Sequence, residues 1–507
     1  MMLSHWIIAP VVLPAVLAPL IVLALRRDLT LQRVFSTLGT AALLVLALSL
    51  LLASAKGPEA YRLGDWPAPF GIVLMLDRLS ALMLTLTAAL ALVVQLYAIG
   101  TGWDARGKHF HALMQFQLMG LNGAFLTADA FNLFVFFEVL LIASYALMIH
   151  GAGGARLRAG VQYVAFNLLG SSLFLIALAL LYAVTGTLNM ADLAGRIAAL
   201  PAGDMALVRV GAVLLMLVFA IKGALVPLQF WLPGTYANAP GPVAALFAIM
   251  TKVGAYAMIR IGTLVFPPEV VATGTLIADL LFWGALLTLI VGAIGTLGAT
   301  TLPRLAAFAA IASMGTLFLG VSAFTVQGVT AALYYLIHST LAGAVLFLIA
   351  DLVQRQRGAG TLAPATDFTG RGMLASLYLA AAIALAGMPP LSGFLGKLMV
   401  MQAWSASPAL VWGVILGTSF LMILGFARAG SALFWKMQGG ASAPHTPPLQ
   451  PLPPLALGAI LALFAALVGL TIMAGPVTAW LQATAAALID PAAYIAANAL
   501  PPLTEAK

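Results

Sequence analysis

Five titratable residues lie inside long apolar stretches of the sequence, and their types are suited to proton chemistry. They are Glu138, Lys222, Lys252, His338 and Lys397. A charge at the centre of a bilayer costs roughly 2.5–3.5 kcal/mol on insertion scales, so such groups invite a functional interpretation. Desolvation disfavours the charged ammonium, which makes neutral lysine accessible near physiological pH. A carboxylate such as Glu138 that moves toward or away from Lys222 would therefore load or release a proton.

Each of these residues also has a structural interpretation. Glu138 would fix helix packing as an ion-pair partner, Lys222 would extend toward the membrane surface, and Lys252 would be purely structural. His338 would be a hydrogen-bonded core histidine, and Lys397 would lie near the outer interface. Because all five lie on different apolar stretches, the hypothesis we favour is a track of protonatable groups in the plane of the membrane.

Prolines interrupt two of these stretches close to a lysine. Pro227 follows Lys222 by five residues, and the pair Pro389 and Pro390 precedes Lys397. A proline inside a helix frees the carbonyl four residues earlier. Free backbone groups at membrane depth are tolerated only where they meet protein or a water-filled cavity, so we expect two broken helices beside an ion or proton path.

The composition is that of a membrane protein. Of 507 residues, 63% are hydrophobic and only 7% are charged, whereas soluble domains are about 25% charged. Apolar runs of about 20 residues recur throughout, and each is long enough to cross a hydrocarbon core of about 30 Å. The first run, from Trp6 to Leu25, has no clear cleavage site after it, so we expect a retained first helix.

The composition also excludes several functions. The chain has no cysteine, which rules out disulfides, thiolate metal sites and iron–sulfur clusters. Its formal net charge is +8, but no basic run is present to bind a nucleic-acid backbone. No connection between apolar runs is long enough for a domain that holds a nucleotide or redox group, so we expect neither a cofactor nor a metal.

Apolar runs and helix breakers together predict an all-α polytopic protein with fourteen transmembrane spans. The spans are residues 5–25, 34–54, 75–100, 111–128, 130–150, 160–186, 207–232, 241–264, 273–298, 303–322, 328–354, 373–404, 408–434 and 453–483. The two broken spans stand five spans apart, which predicts internal repeats over spans 4–8 and 9–13. The predicted regions are residues 1–110, a first repeat over 111–264, a second repeat over 265–435, and 436–507, which holds a Pro-rich linker and the last helix.

The distribution of lysine and arginine predicts the orientation. With the N-terminus outside, thirteen of these residues fall on the inner side, seven on the outer side and three within spans. Positive residues concentrate on the cytoplasmic side of membranes, so we expect both termini outside the bacterial cytoplasmic membrane. Asp351 and Asp279 lie near span ends, where we expect ordinary interfacial charges.

Three stretches of the sequence carry a resemblance to a known family. They read FNLFVFFEVLLIASYAL, FAIKGALVPLQFWLP continued by APGPVAALFAIMTKVGAYAMIR, and AGMPPLSGFLGK. Over about residues 5–435 the chain resembles the antiporter-like subunits shared by respiratory complex I, membrane-bound hydrogenases and multisubunit Mrp/Pha-type cation/proton antiporters. The resemblance implies fourteen helices, two inverted five-helix repeats and broken helices at spans 7 and 12.

Within that family, the chain is most similar to the D-type subunits of the Mrp/Pha antiporters. The stretch GDWPAPFGIVLMLDRLSALML carries this similarity, and Lys397 fits it because one complex I branch places glutamate there. This branch implies partner subunits of the A, B, C, E, F and G types, with Na⁺ or K⁺ and H⁺ as substrates and lipid around the chain.

Two positions depart from the family pattern. Many relatives carry a lysine four residues after the histidine of span 11, where this chain has Ala342. Tyr236 stands where many relatives have histidine. The middle of the track would therefore depend on Lys252, His338 and water.

Three functions remain open at this point. The first is the proton-translocating subunit of a Na⁺(K⁺)/H⁺ antiporter, a secondary transporter rather than an enzyme. The second is a proton-pumping subunit of a complex I-like oxidoreductase or hydrogenase, which would use the same residues. The third is a membrane scaffold without transport, and the cost of burying Glu138 and three lysines argues against it.

Overall fold

The computed structural model describes residues 4–66, 71–201, 205–364, 367–406, 408–436 and 451–498. Over those ranges the chain forms nineteen α-helices and one β-hairpin. The helices are α1 (Ala9–Leu23), α2 (Leu29–Ala53), α3 (Arg78–Thr101), α4 (Phe110–Leu126), α5 (Ala130–Met148), α6 (Gly154–Thr185), α7 (Met190–Ala198), α8 (Met205–Lys222), α9 (Trp231–Asn238), α10 (Gly241–Leu264), α11 (Leu276–Gly298), α12 (Leu302–Val321), α13 (Val326–Arg357), α14 (Arg371–Ala386), α15 (Ser392–Ala403), α16 (Pro408–Gly430), α17 (Pro454–Ile472), α18 (Ala474–Ile489) and α19 (Ala492–Asn498). The strands are β1 (Glu59–Arg62) and β2 (Val73–Leu76), paired antiparallel with Glu59 opposite Leu76.

The chain is a multi-pass, all-α membrane protein, as predicted. Within the described ranges, eleven helices are long and apolar enough to cross a membrane. The count of fourteen crossings stays a prediction, because shorter helices such as α1 and α14 fall below the length of a full span. At the centre of the bundle, α10 and α13 pack against each other and are almost entirely buried.

The bundle has two ends, which we name by their landmarks. The hairpin end holds β1 and β2. The opposite end, where Trp103 follows α3, opens into a large cleft, and we call it the cleft end. His5 packs against Tyr61 of β1, and Asn498 donates a hydrogen bond to Asn189, 2.7 Å away. The first and last described residues therefore lie at the same end, the hairpin end.

Two short backbone bridges reveal the inverted repeats. The turn before α5 pairs with the residues before α7, through the bridge between Asp129 and Asn189. The turn before α12 pairs in the same way with the residues after α13, through the bridge between Thr301 and Thr361. The first bridge lies at the hairpin end and the second at the cleft end, because α4 and α11, the first helices of the two repeats, run in opposite directions.

The predicted broken helices are confirmed. The span around Lys222 divides into α8 and α9, with non-helical backbone between Lys222 and Trp231. The span around Lys397 divides into α14 and α15, with a break between Ala386 and Ser392. The prolines predicted to break these spans lie inside the two gaps.

Two local features were not predicted from the sequence. The polar connections after spans 2 and 6 contain the β-hairpin and the helix α7. The predicted last span, 453–483, is divided at Met473 into α17 and α18, because Pro476 has no N–H for the carbonyl of Ile472. Most of the predicted Pro-rich linker, residues 439–450, lies outside the described residues.

Candidate functional site

Lys222 and Glu138 are both held by side chains of α6. Lys222 is the last residue of α8 and only 8% exposed, and its Nζ donates a hydrogen bond to Asn167 Oδ1 over 2.7 Å. Ser171 donates its hydroxyl hydrogen to the carboxylate of Glu138 on α5. Asn167 and Ser171 are four residues apart, so they lie on the same face of α6. We call Glu138, Lys222, Asn167 and Ser171 the first cluster.

Asn167 and Ser171 were not predicted as site residues. Both lie in the apolar run FNLLGSSLFLIAL, and both are buried. A sequence signal was present, because two polar residues spaced by four in an apolar helix mark one polar face. Without knowing which helix packs beside Lys222, that face could not be assigned to a partner.

The backbone of the first break is held by groups from outside the break. The indole N–H of Trp231 donates to the carbonyl of Ile221 over 3.0 Å. The N–H of Val226 donates to Thr288 Oγ1 over 2.8 Å. On α10, a Cβ at Gly254 would lie 2.7 Å from the backbone nitrogen of the residue after Lys222, so only glycine allows α10 to approach the end of α8 this closely.

At the second break, by contrast, the lysine itself satisfies the backbone. Lys397 Nζ donates to the carbonyl of Ala386, 2.9 Å away, and to Ser419 Oγ, 2.8 Å away. The lysine side chain folds over Gly387, whose φ of +77° and close approach to Lys397 both require glycine. The Ala386 carbonyl is one of those that a proline four residues later frees, here Pro390.

Lys252 and His338 occupy the centre of the bundle. Lys252 on α10 is 1% exposed, and His338 on α13 is fully buried. His338 Nδ1 lies 2.9 Å from Ser392 Oγ, the first residue of α15, and its Nε2 has no hydrogen-bond partner among the described residues. Lys397 lies five residues after Ser392 on α15, the helix whose first residue contacts His338. We call Lys252, His338 and Lys397 the central cluster.

A small cavity lies beside the first cluster. Its volume is about 10 Å³, and Asn167, Lys222, Met250 and Val253 are among its lining residues. A space of this size holds about one water molecule. Met250 and Val253 belong to α10, the helix that carries Lys252, so this cavity lies between the first cluster and that helix.

The two positions that depart from the family pattern are both buried in apolar surroundings. Ala342, one turn after His338 on α13, is completely buried. Tyr236 donates its hydroxyl hydrogen to the carbonyl of Phe247 over 2.8 Å, and its ring packs against Phe347. Neither position therefore supplies an amine or an imidazole to the predicted track.

The described part of the chain contains no cluster of three or more histidine, aspartate or glutamate side chains arranged to hold a metal ion. The polar groups of the site are instead amines, amides, hydroxyls, an imidazole and one carboxylate. This set suits proton transfer and hydrogen bonding rather than coordination of a resident metal.

The sequence and the fold define the class of protein. The transmembrane family described as NADH:quinone oxidoreductase/Mrp antiporter matches residues 127–423. The chain belongs to this family.

Two relatives narrow the comparison to one branch. The D subunit of a probable K⁺/H⁺ antiporter from Rhizobium meliloti is 38% identical to this chain, and the alignment covers 96% of each. The D subunit of the Na⁺/H⁺ antiporter from Alkalihalophilus pseudofirmus is 35% identical, with 97% of this chain and 99% of the relative covered. The predicted resemblance to the D-type branch is confirmed.

Solved structures agree with the sequence relatives. A chain of the Mrp complex from Dietzia sp. is 27% identical, with a TM-score of 0.89 over 98% of this chain and 100% of that chain. A chain of respiratory complex I from Thermus thermophilus is also 27% identical, with a TM-score of 0.80 over 96% of this chain and 99% of that chain.

Proposed function

We propose that the chain is the proton-translocating subunit of a multisubunit Na⁺(K⁺)/H⁺ antiporter. Protons would pass along Glu138, Lys222, Lys252, His338 and Lys397. The observation that carries this proposal is the burial of the three lysines and His338 at the two helix breaks and on the two central helices, with the partly buried Glu138 held by the helix that also holds Lys222. Four of the five groups have a hydrogen-bond partner. The relatives that are named D subunits of Na⁺/H⁺ or K⁺/H⁺ antiporters support the antiporter assignment.

The first cluster would act as the proton-loading unit. Lys222 bonds to a neutral amide, while Glu138 bonds to a hydroxyl, so neither is locked in a direct ion pair with the other. A small movement of either side chain would change the attraction between carboxylate and ammonium, and with it the proton affinity of the amine. The water-sized cavity beside Lys222 would then pass the proton toward Lys252.

The experiment is exchange measured in everted membrane vesicles that contain the whole antiporter assembly. A pH gradient is formed, Na⁺ or K⁺ is added, and dissipation of the gradient is followed with a pH-sensitive dye. We expect Glu138→Gln to abolish exchange while the subunits remain assembled. The matched control is Glu59→Gln, which removes an exposed carboxylate from β1; exchange by Glu138→Gln at the level of this control would refute the proposal.

A second candidate is a proton-pumping subunit of a complex I-like oxidoreductase or membrane-bound hydrogenase. The similarity to a chain of Thermus thermophilus complex I favours it. The two candidates differ in their energy source, since a redox-driven module responds to an electron donor whereas an antiporter responds to Na⁺ or K⁺. The second candidate would be selected if proton movement in the same vesicles requires an electron donor and does not change when Na⁺ or K⁺ is added.

We also propose the surroundings of the chain. Partner membrane subunits of the A, B, C, E, F and G types would complete the assembly. The cleft end would face the cytoplasm, which places the hairpin end and both termini outside the bacterial cytoplasmic membrane. The arginines at the cleft end support this orientation, because positive residues concentrate on the cytoplasmic side of membranes. Labelling of single cysteines introduced at Lys56 and Lys108 from one side of the membrane would test it.

A further inference from the structure

The cleft at the cleft end of the bundle is large, and no residue of either cluster lines it. Its volume is about 1040 Å³, and its walls come from the α3–α4 and α5–α6 connections, the start of α10 and the end of α13. Four arginines line it, from three separate parts of the chain: Arg106, Arg156, Arg355 and Arg357. Two acidic residues, Asp351 and Asp367, also line it, so the cleft has a net positive charge.

The arginines gather around one indole ring. The guanidinium carbons of Arg106, Arg156 and Arg355 lie 4.2, 5.3 and 5.2 Å from the centre of the Trp103 ring. Cation–π attraction stabilises each of them, but three like charges beside one ring also repel one another. Partial desolvation and the neighbouring charge of Arg355 lower the pKa of Arg106, although this residue remains exposed. An anion in the cleft would relieve this repulsion.

Asp351 offsets only part of this charge, because it is a single carboxylate paired with Arg355 among three guanidinium groups. It accepts hydrogen bonds from the hydroxyl of Tyr97 (2.7 Å), the indole of Trp103 (3.0 Å) and Arg355 Nε (2.9 Å). The sequence-based expectation of an ordinary interfacial charge is wrong, since Asp351 is buried and packs against the start of α10. The other acid, Asp367, pairs with Arg371.

Two of the arginines that line the cleft have N–H donors without an acceptor among the described residues. Arg355 Nη2 and Arg357 Nε are buried without a hydrogen-bond partner in the part of the chain that the structure describes. Arg106 is exposed and has no carboxylate partner there. The sequence of residues 437–450, MQGGASAPHTPPLQ, contains no acidic residue. That segment therefore offers no carboxylate for these donors.

We propose that this cleft binds a phosphate-type oxyanion, held by Arg106 and Arg355 beside Trp103. Planar guanidinium groups bind phosphate oxygens in pairs of charge-assisted hydrogen bonds. The start of α10 also forms part of the cleft wall, and the carboxylate of Asp351 partly offsets the positive end of its helix dipole. The volume admits either a free phosphate compound or the headgroup of an anionic phospholipid, and the two share this chemistry.

The experiment uses the full-length chain purified from membranes with its associated subunits. Binding of inorganic phosphate is measured by equilibrium dialysis with radiolabelled phosphate, at constant ionic strength set with chloride. We expect Arg106→Gln to weaken binding by about tenfold or more, as for loss of a charge-assisted hydrogen bond. The matched control is Lys108→Gln, an exposed cation of the same connection that does not line the cleft, and we expect it to change binding less than about twofold.

A second arm separates the two sources of phosphate. The same proteins are placed in nanodiscs of phosphatidylcholine with or without phosphatidylglycerol, and thermal unfolding is followed. Arg106-dependent binding of inorganic phosphate assigns a free oxyanion, and Arg106-dependent stabilisation by phosphatidylglycerol alone assigns a lipid headgroup; either supports the proposal. It is overturned if neither arm depends on Arg106, or if Lys108→Gln has an equal effect.

Discussion

The two helix breaks use their lysines in different ways. At the first break, Lys222 bonds to the side-chain amide of Asn167 on a neighbouring helix, and the indole of Trp231 satisfies a carbonyl beside the break. At the second break, Lys397 itself bonds to the freed carbonyl of Ala386. Lys222 therefore makes no hydrogen bond to the backbone of its break, whereas Lys397 stabilises the backbone of the second break directly.

This difference suggests distinct roles for the two repeats. A lysine that does not support the backbone is free to change its partner, as a proton-loading group must. A lysine that caps a carbonyl loses that role when it moves. The carboxylate also belongs to the first break alone, since the described α12, which corresponds to the Glu138 helix α5, has no acidic residue. We expect the first break to load protons and the second to be the more rigid partner.

The largest expected effect is on transport in Lys222→Ala. We expect exchange in everted vesicles to fall about a hundredfold or more, as for loss of a proton-transferring group. The thermal stability should change little, because alanine removes the cost of burying an amine together with one hydrogen bond. The control is Lys56→Ala, which removes an exposed lysine near the hairpin. A large loss of stability in Lys222→Ala would contradict the comparison of the two breaks.

Lys397→Ala should lower both stability and transport. The carbonyl of Ala386 and the hydroxyl of Ser419 lose their ammonium donor, and a buried carbonyl without a partner costs about 1–3 kcal/mol. Thermal unfolding of the purified assembly should therefore begin at a clearly lower temperature than in Lys222→Ala. If the two variants unfold at the same temperature, Lys397 contributes no more to stability than Lys222 does.

The two bridging turns offer a test of pH dependence. Burial raises the pKa of Asp129, in the turn before α5, to about 6, whereas the corresponding Thr301 does not titrate. The folded state therefore favours the protonated acid, and this contribution is lost as pH rises from about 4 through 6. Asp129→Asn keeps the side-chain acceptor for the helix N-terminus. It should be more stable than the parent at a pH above about 6, by of order 2 kcal/mol.

The advantage of Asp129→Asn should shrink as pH falls below about 6 and vanish near about pH 4. Thermal unfolding between about pH 4 and pH 8 measures it, a range that brackets both protonation states. Thr301→Asn is the matched change in the other repeat and should show no such pH dependence. An advantage that is constant with pH would mean that Asp129 titrates near its ordinary value.

A smaller effect is expected at Asn167. In Asn167→Leu, Lys222 loses its acceptor, and we expect exchange to fall about tenfold, in line with a hydrogen bond to a charged group. Asn167→Asp keeps an acceptor oxygen and should retain more exchange than the leucine variant. Ser172→Ala, which removes an exposed hydroxyl from the same helix, serves as control. Equal exchange by the leucine and aspartate variants would show that the acceptor is not required.

Much of this arrangement was predictable from single residues. Pro227 and the Pro389–Pro390 pair predict the two breaks because proline cannot continue a helix. The cost of burying Lys222 and Lys397 singles them out among hundreds of apolar positions. These signals are local, and each can be recognised without knowing which helices are neighbours.

The remaining features depend on which helices lie side by side. Asn167 matters because α6 packs beside α8, and nothing in its own stretch identifies that neighbour. The arginine cleft was missed for the same reason, since Arg106, Arg156 and Arg355 are far apart in the sequence and no basic run exists. The failed prediction for Asp351 has a related cause, because the residues that bury it come from α3 and the connection after it.

The cavity beside Lys222 also sets a limit on the size of what it can hold. A volume of about 10 Å³ has room for about one water molecule, and a sodium or potassium ion with its hydration shell is larger than that. We therefore expect the interior to discriminate by size before any ligand chemistry applies, so that a proton can hop where a hydrated cation is excluded. In an exchanger of the proposed kind, we expect the cation to travel by a separate route, and the two flows to be coupled only through movements of the protein.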